Sequence, residues 1–164
     1  ILLMIYLVSS SKHGDVIPTG VPEWYVYPRY ADRLEAIGVI GVKRTFEYTM
    51  NKGGKLYLDS TKLATTEDEL WKIASVERYK SYSGKSQSMM DHFYDKLLRI
   101  SNYPIRNKYF DEECNERTRP LVEFALEFGK RGSVNEDDIN LFLEKYEGKK
   151  TDCEQQIEEH SFET

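Results

Sequence analysis

Apolar positions recur near the helical period through most of the chain, and the breaks between these runs are rich in Gly, Pro, Ser and Asn. The chain opens on an apolar run, Ile1 to Val8, and then turns polar at Ser9 to Asp15, with Pro18, Gly20 and Pro22 beyond; such a density of turn residues predicts a loop. The spacing of Leu34, Ile37, Ile40 and Val42 predicts a helix of about five to six turns from Pro28 to about Thr49. Gly38 and Gly41 fall inside it. A helical glycine costs about 1 kcal/mol relative to alanine, so the pair predicts close approach by a neighbouring helix.

Asn51 to Lys55 reads as a loop, and Thr66 with Glu69 three residues on forms a capping-box signature for a helix through Leu70, Ile73, Ala74 and Val76, ended by Ser81 to Gly84. Met89, Met90, Phe93, Leu97 and Ile100 then make the clearest apolar stripe of the chain, with Asp91, Asp95, Lys96 and Arg99 mostly off it. Residues 106–130 are helical by composition, although Pro120 is expected to start, kink or split that helix before Gly129 to Gly132 ends it. Asn135 to Asp138 caps and charges a short helix through Ile139, Leu141, Phe142 and Tyr146. No internal repeat or strand pair emerges. The expected organisation is all-α: a helical domain over 1–130, a C-terminal helix over 131–147 and a flexible acidic tail over 148–164.

The 164 residues, 40% of them hydrophobic, suit one globular domain. A net charge of -5 argues against a protein that coats nucleic acid, so any phosphate contact is expected to be local. Cys114 and Cys153 lie far apart without a Cys/His cluster, which signals neither a zinc site nor a disulfide framework and suits a reducing, cytoplasmic setting. The apolar opening is far short of the roughly 20 residues of a membrane span, and it lacks the basic flank and small-residue site of a signal peptide. It reads as a buried helix end. A start inside an apolar run hints at truncation, and exposure of such a stretch would favour a homo-oligomer.

Asp32 has two readings. With Glu35 three positions on, it is a helix N-cap; if the helix begins instead at Pro28, Asp32 lies above Ala36 and Val39 on an apolar face and needs a partner, a cation being one. The run from Tyr30 through Ala31-Asp32-Arg33-Leu34-Glu35-Ala36-Ile37-Gly38 to Phe46 resembles D-A-D-R-L-D-A-I-G-A-I-G-I-A-R-T-F of the HD family of metal-dependent phosphohydrolases. Downstream, His92-Phe93-Tyr94-Asp95-Lys96-Leu97-Leu98-Arg99-Ile100 is similar to that family's H-F-Y-E-K-L-L-K-L helix, and Asp111 to Phe128 is a weaker echo of its final A-E-E-R-H helix, from which Pro120 departs. The resemblance covers roughly residues 1–130.

The resemblance implies an HD-like helical bundle lacking its N-terminal helices, and a divalent metal (Mn, Co or Mg) held by a His, a His-Asp pair and a later Asp, here Asp32. Such a cation polarises a phosphate and lowers the pKa of a bound water. His13, His92 and His160 are the histidines of the sequence and none precedes an Asp, so the ligand set is incomplete within the chain; His13 reads as a solvated loop residue. His92 and Lys96, at i and i+4, can point along one helix face toward a phosphate-bearing substrate, or His92 can be a buried, backbone-bonded residue. Arg33 and Arg44, about three helical turns apart, can share one face and bind phosphate oxygens, or pair with Glu35 and Glu47. Asp91 and Asp95 can ligate a metal or serve as acid and base, or simply line a solvated face. The expected function is phosphohydrolysis of a nucleotide or related compound, with a non-catalytic interaction module of the same descent as the alternative.

Overall fold

The computed structural model describes residues 2–8, 17–102 and 107–147, and every regular element among them is helical. The predicted acidic tail over 148–164, with Cys153 and His160, and the loop that holds His13 lie outside the described residues.

Helix α1 spans Leu2–Val8. A 3-10 turn, Glu23–Val26, leads into α2, Tyr27–Glu35, with Pro28 in its first turn, where a missing N–H is harmless. Helix α3 is Gly38–Asn51. The predicted single helix from Pro28 to Thr49 is therefore two, because the chain leaves the helical path at Ala36 and Ile37. Periodicity runs through the break; the glycines make it. Gly38 adopts φ +74°, a left-handed conformation that favours glycine, and a Cβ on Gly41 would stand 2.5 Å from the Ala36 carbonyl oxygen. A neighbouring helix does approach Gly38, whose added Cβ would meet the Arg117 side chain at 3.2 Å. Gly41 instead accommodates the corner itself. Two arginines satisfy the carbonyls exposed there: Arg117 Nη1 donates to Leu34 O at 2.8 Å and Arg44 Nη1 to Glu35 O at 2.8 Å.

The Thr66/Glu69 capping box forms as predicted and opens α4, Glu67–Ile73. That helix stops sooner than its pattern suggests. Arg99 donates to the carbonyls of Trp71 and Ala74, ending α4, and Ser75 caps a new helix, α5, Val76–Ser81. The apolar stripe from Met89 becomes α6, a continuous rod made of Met89–His92, a π-helical turn Phe93–Leu97, and Leu98–Ser101. The wider turn spreads its contacts: Met90, Phe93, Tyr94 and Leu98 are all fully buried, so α6 is enclosed on more than one side. Asp91 and Asp95, expected on the polar side of this helix, do not form a solvated face. Asp91 is buried with the core and Asp95 is half-buried.

Helix α7 runs from Lys108 to Arg131 without interruption at Pro120, and closes on Gly132 in the left-handed conformation, its N–H bonded to Phe128 O at 2.8 Å. The last helix, α8, covers 136–147 and packs back on α7 through Phe142 against Phe124 and through Tyr146, whose hydroxyl donates to Glu123. The core is a bundle around α6 and α7, with α3 packed along α7 and α1 held to α2 by Arg29, whose Nε donates to Leu7 O at 2.6 Å. Of α1, Leu7 is buried, while Leu2, Ile5 and Tyr6 are exposed; the expectation of a buried helix end holds for Leu7 and not for the outer face of the helix.

The tightest approach in the bundle is at Gly129, where an added Cβ would lie 1.8 Å from the Ala64 carbonyl oxygen. Alanine gains helix propensity there but forces α7 and the 61–64 segment apart. Gly129→Ala is expected to destabilise the protein by about 2 kcal/mol or more, as overpacking does, measured by urea denaturation; a neutral or stabilising effect contradicts the close packing described.

Candidate functional site

A cleft of about 870 Å³ lies between α3 and α6. Its walls carry Arg44, Tyr48 and Asn51 from α3, Lys52 and Lys55 from the turn after it, Tyr82, Lys85 and Ser86 from the segment beyond α5, and His92 and Lys96 from α6. Five cationic side chains face it against the carboxylate of Glu47. In a chain of net charge -5 this is a local reversal of sign, and it favours an anionic occupant.

Three sequence-predicted site residues, Arg44, His92 and Lys96, come together in this cleft. They reach it by a different route from the one expected. Arg33 and Arg44 do not share a helix face, because the break at Ala36 puts them on separate helices: Arg33 is buried in α2, whereas Arg44 is exposed on α3. Arg33 is not part of the cleft wall. Asp32 is exposed on the middle of α2, so it neither caps a helix nor lies on a buried face, and it too is away from the cleft.

His92 is the most chemically defined group of the site. Its Nδ1 lies 3.3 Å from both the Tyr82 hydroxyl and Ser86 Oγ, and the Tyr82 ring meets the imidazole edge-on at 5.7 Å. Burial pushes the imidazole pKa down to about 4, with the charge on Lys96 adding to the effect and Asp95 opposing it. His92 is therefore neutral at pH 7. The reading of a backbone-bonded histidine is replaced by one bonded to two hydroxyls.

Behind His92 stands a network that sequence reasoning did not find. Arg78 of α5 bridges two carboxylates one turn apart on α6, with Nε on Asp95 Oδ1 at 2.6 Å and Nη2 on Asp91 Oδ1 at 3.0 Å, its guanidinium 5.4 Å from the centre of the Tyr94 ring. Asp91 also accepts from Ser88 Oγ at 2.7 Å and Thr61 Oγ1 at 3.1 Å, and Asp95 accepts from Ser86 Oγ at 2.6 Å. These carboxylates have their donors already. Among the described residues no group of three or more His, Cys, Asp or Glu is arranged to hold a metal, so the donor set present does not fit the divalent ion that the sequence resemblance implies. Cys114 is a buried thiol, its pKa raised chiefly by burial. No described helix is long and apolar enough to cross a membrane.

The depressed pKa of His92 makes stability pH-dependent with a definite sign. The unfolded chain takes up this proton near pH 6.5 and the folded protein only near 4, so the contribution is present in full above 6.5 and is lost as pH falls from there toward 4. Chemical denaturation of His92→Phe between pH 7 and 4 is expected to show a shallower loss of stability than the parent; an equal slope contradicts a histidine buried in its neutral form.

No protein-family model matches the sequence. The chain is 42% identical over 134 residues to an uncharacterized protein of Acanthamoeba polyphaga mimivirus, an alignment that covers 78% of this chain and 54% of the relative. The chain thus spans about half the length of that viral protein.

Proposed function

We propose that this chain forms the substrate-holding part of an HD-type phosphohydrolase and binds a small phosphate-bearing molecule in the cleft between α3 and α6. The observation that carries the reading is the convergence of Arg44, His92 and Lys96, each singled out from its sequence context, with Lys52, Lys55 and Lys85 on one cleft. Ammonium and guanidinium groups around a concave surface are the donors that phosphate oxygens require, and the volume accommodates a nucleotide-sized ligand. The A-D-R-L and H-F-Y-D-K-L-L strings support the hydrolase class.

Asp32 enters this proposal as a metal ligand only in combination with an upstream His and a His-Asp pair, and among the described residues it belongs to no group of three or more His, Cys, Asp or Glu arranged to hold a metal. Asp91 and Asp95, the carboxylates beside the cleft, are already engaged by Arg78 and by serine hydroxyls, which supports a second reading, a non-catalytic binding module of the same descent. Both readings share the cleft, and they part on turnover.

Isothermal titration with pyrophosphate and a nucleoside triphosphate is expected to show binding that Lys85→Glu and Lys96→Gln each weaken about tenfold, the worth of a charge-assisted hydrogen bond. The same preparation with Mn, Co or Mg is expected to release no phosphate or pyrophosphate. Absence of binding contradicts the cleft assignment; robust turnover abolished by Asp32→Ala contradicts the incompleteness of the metal site.

A further inference from the structure

We infer that His92 is a hydrogen-bond acceptor aimed at the ligand, locked in one tautomer by Ser86 and Asp95, and that it selects phosphate esters bearing a hydroxyl over bare phosphates. The inference rests on the phosphate-binding reading of the cleft and adds a second recognition element to it.

The protons of the network can be counted. Asp95 Oδ1 takes Arg78 Nε, and Oδ2 lies 2.6 Å from Ser86 Oγ. A carboxylate can only accept, so the single hydroxyl hydrogen of Ser86 is committed to Asp95. Ser86 Oγ then has lone pairs alone to offer the imidazole 3.3 Å away, which requires a hydrogen on His92 Nδ1. Tyr82 fits the same assignment, since its hydroxyl oxygen, 3.3 Å from Nδ1, can accept from the same N–H. The opposite assignment has Tyr82 donate to Nδ1 at 3.3 Å, but leaves Nδ1 and Ser86 Oγ facing each other as two acceptors. The first arrangement leaves no two acceptors facing each other at the 3.3 Å contact between Nδ1 and Ser86 Oγ.

With its hydrogen on Nδ1, neutral His92 presents Nε2 as a lone pair, and Nε2 has no protein partner among the described residues. The surrounding cleft offers donors for phosphate oxygens: Lys96 one turn on, Lys85 and Arg44. A fully ionised phosphate has no hydrogen to give an acceptor, so what meets His92 is a hydroxyl of the esterified part. Asp95 and Ser86 are positioning residues: they act through the imidazole. Arg78 in turn holds Asp95.

The test uses the full chain with 15N-labelled histidine and two probes of similar size, glycerol 3-phosphate and propyl phosphate, which differ in hydroxyls. The His92 ring resonances are expected to report the Nδ1–H tautomer, and Ser86→Ala and Asp95→Asn are expected to mix the tautomers while circular dichroism shows the fold retained. Titration is expected to favour glycerol 3-phosphate roughly fivefold, the contribution of one neutral hydrogen bond, with the ratio falling to about one in His92→Phe. An Nε2–H tautomer in the parent protein, or a tautomer indifferent to both substitutions, overturns the relay. Equal binding of the two probes overturns the selectivity with the phosphate cleft intact. Binding of neither probe overturns the cleft reading and with it the ligand assignment, while the tautomer in the same spectra still decides the relay.

Discussion

Arg78 supplies one positive charge to two carboxylates that lie a turn apart on α6, and the geometry of the cleft descends from that arrangement. Two carboxylates side by side in a half-dry environment repel, and the guanidinium between them offsets that repulsion. Because Arg78 belongs to α5, the bridge also ties the short helices α4 and α5 to the central rod. The free oxygens of the two carboxylates then order the segment between α5 and α6: Asp91 takes Ser88, the N-cap of α6, and Asp95 takes Ser86, which faces His92. A surface segment without regular structure acquires defined donors and acceptors through charges anchored in the helix beside it.

The same helix that holds these charges carries the apolar core, and its π-helical turn reconciles the two demands. A regular helix through Phe93 to Leu97 would present one apolar stripe and one polar face. The extra residue in the turn rotates the rest of the rod, so that Phe93, Tyr94, Leu97 and Leu98 are all buried while Asp95 and Lys96 stay at the edge of solvent. His92 comes immediately before that turn. The cleft is thus built where the rod changes pitch, with α3 forming the opposite wall.

Much of this was readable from residue order. The capping box at Thr66 and Glu69, the stripe from Met89 to Ile100 and the glycine stop after α7 are local signals, and local physics decides them. The corner at Ala36 was half legible: the two glycines were visible, yet apolar spacing continued across them, and only the left-handed Gly38 and the arginine caps from α7 and α3 show why the helix ends there. Arg78 was not legible at all, since nothing near it in sequence marks it, and its partners are 13 and 17 residues away on another helix. Tyr82 and Ser86 escaped for the same reason, lying in a segment with no periodicity to read. Asp32 was singled out by its string, but the face it occupies depends on where α2 begins and ends, and it meets solvent.

The central claim is that a phosphate group is held between α3 and α6 by the cations gathered there. A crystal of the chain grown with a hydroxylated phosphate ester tests it most directly. The account predicts density in the cleft with phosphate oxygens within hydrogen-bonding distance of Lys96 and Lys85 and a hydroxyl at His92 Nε2. A ligand seated elsewhere on the bundle, or in the cleft with its phosphate turned away from these lysines, would contradict it.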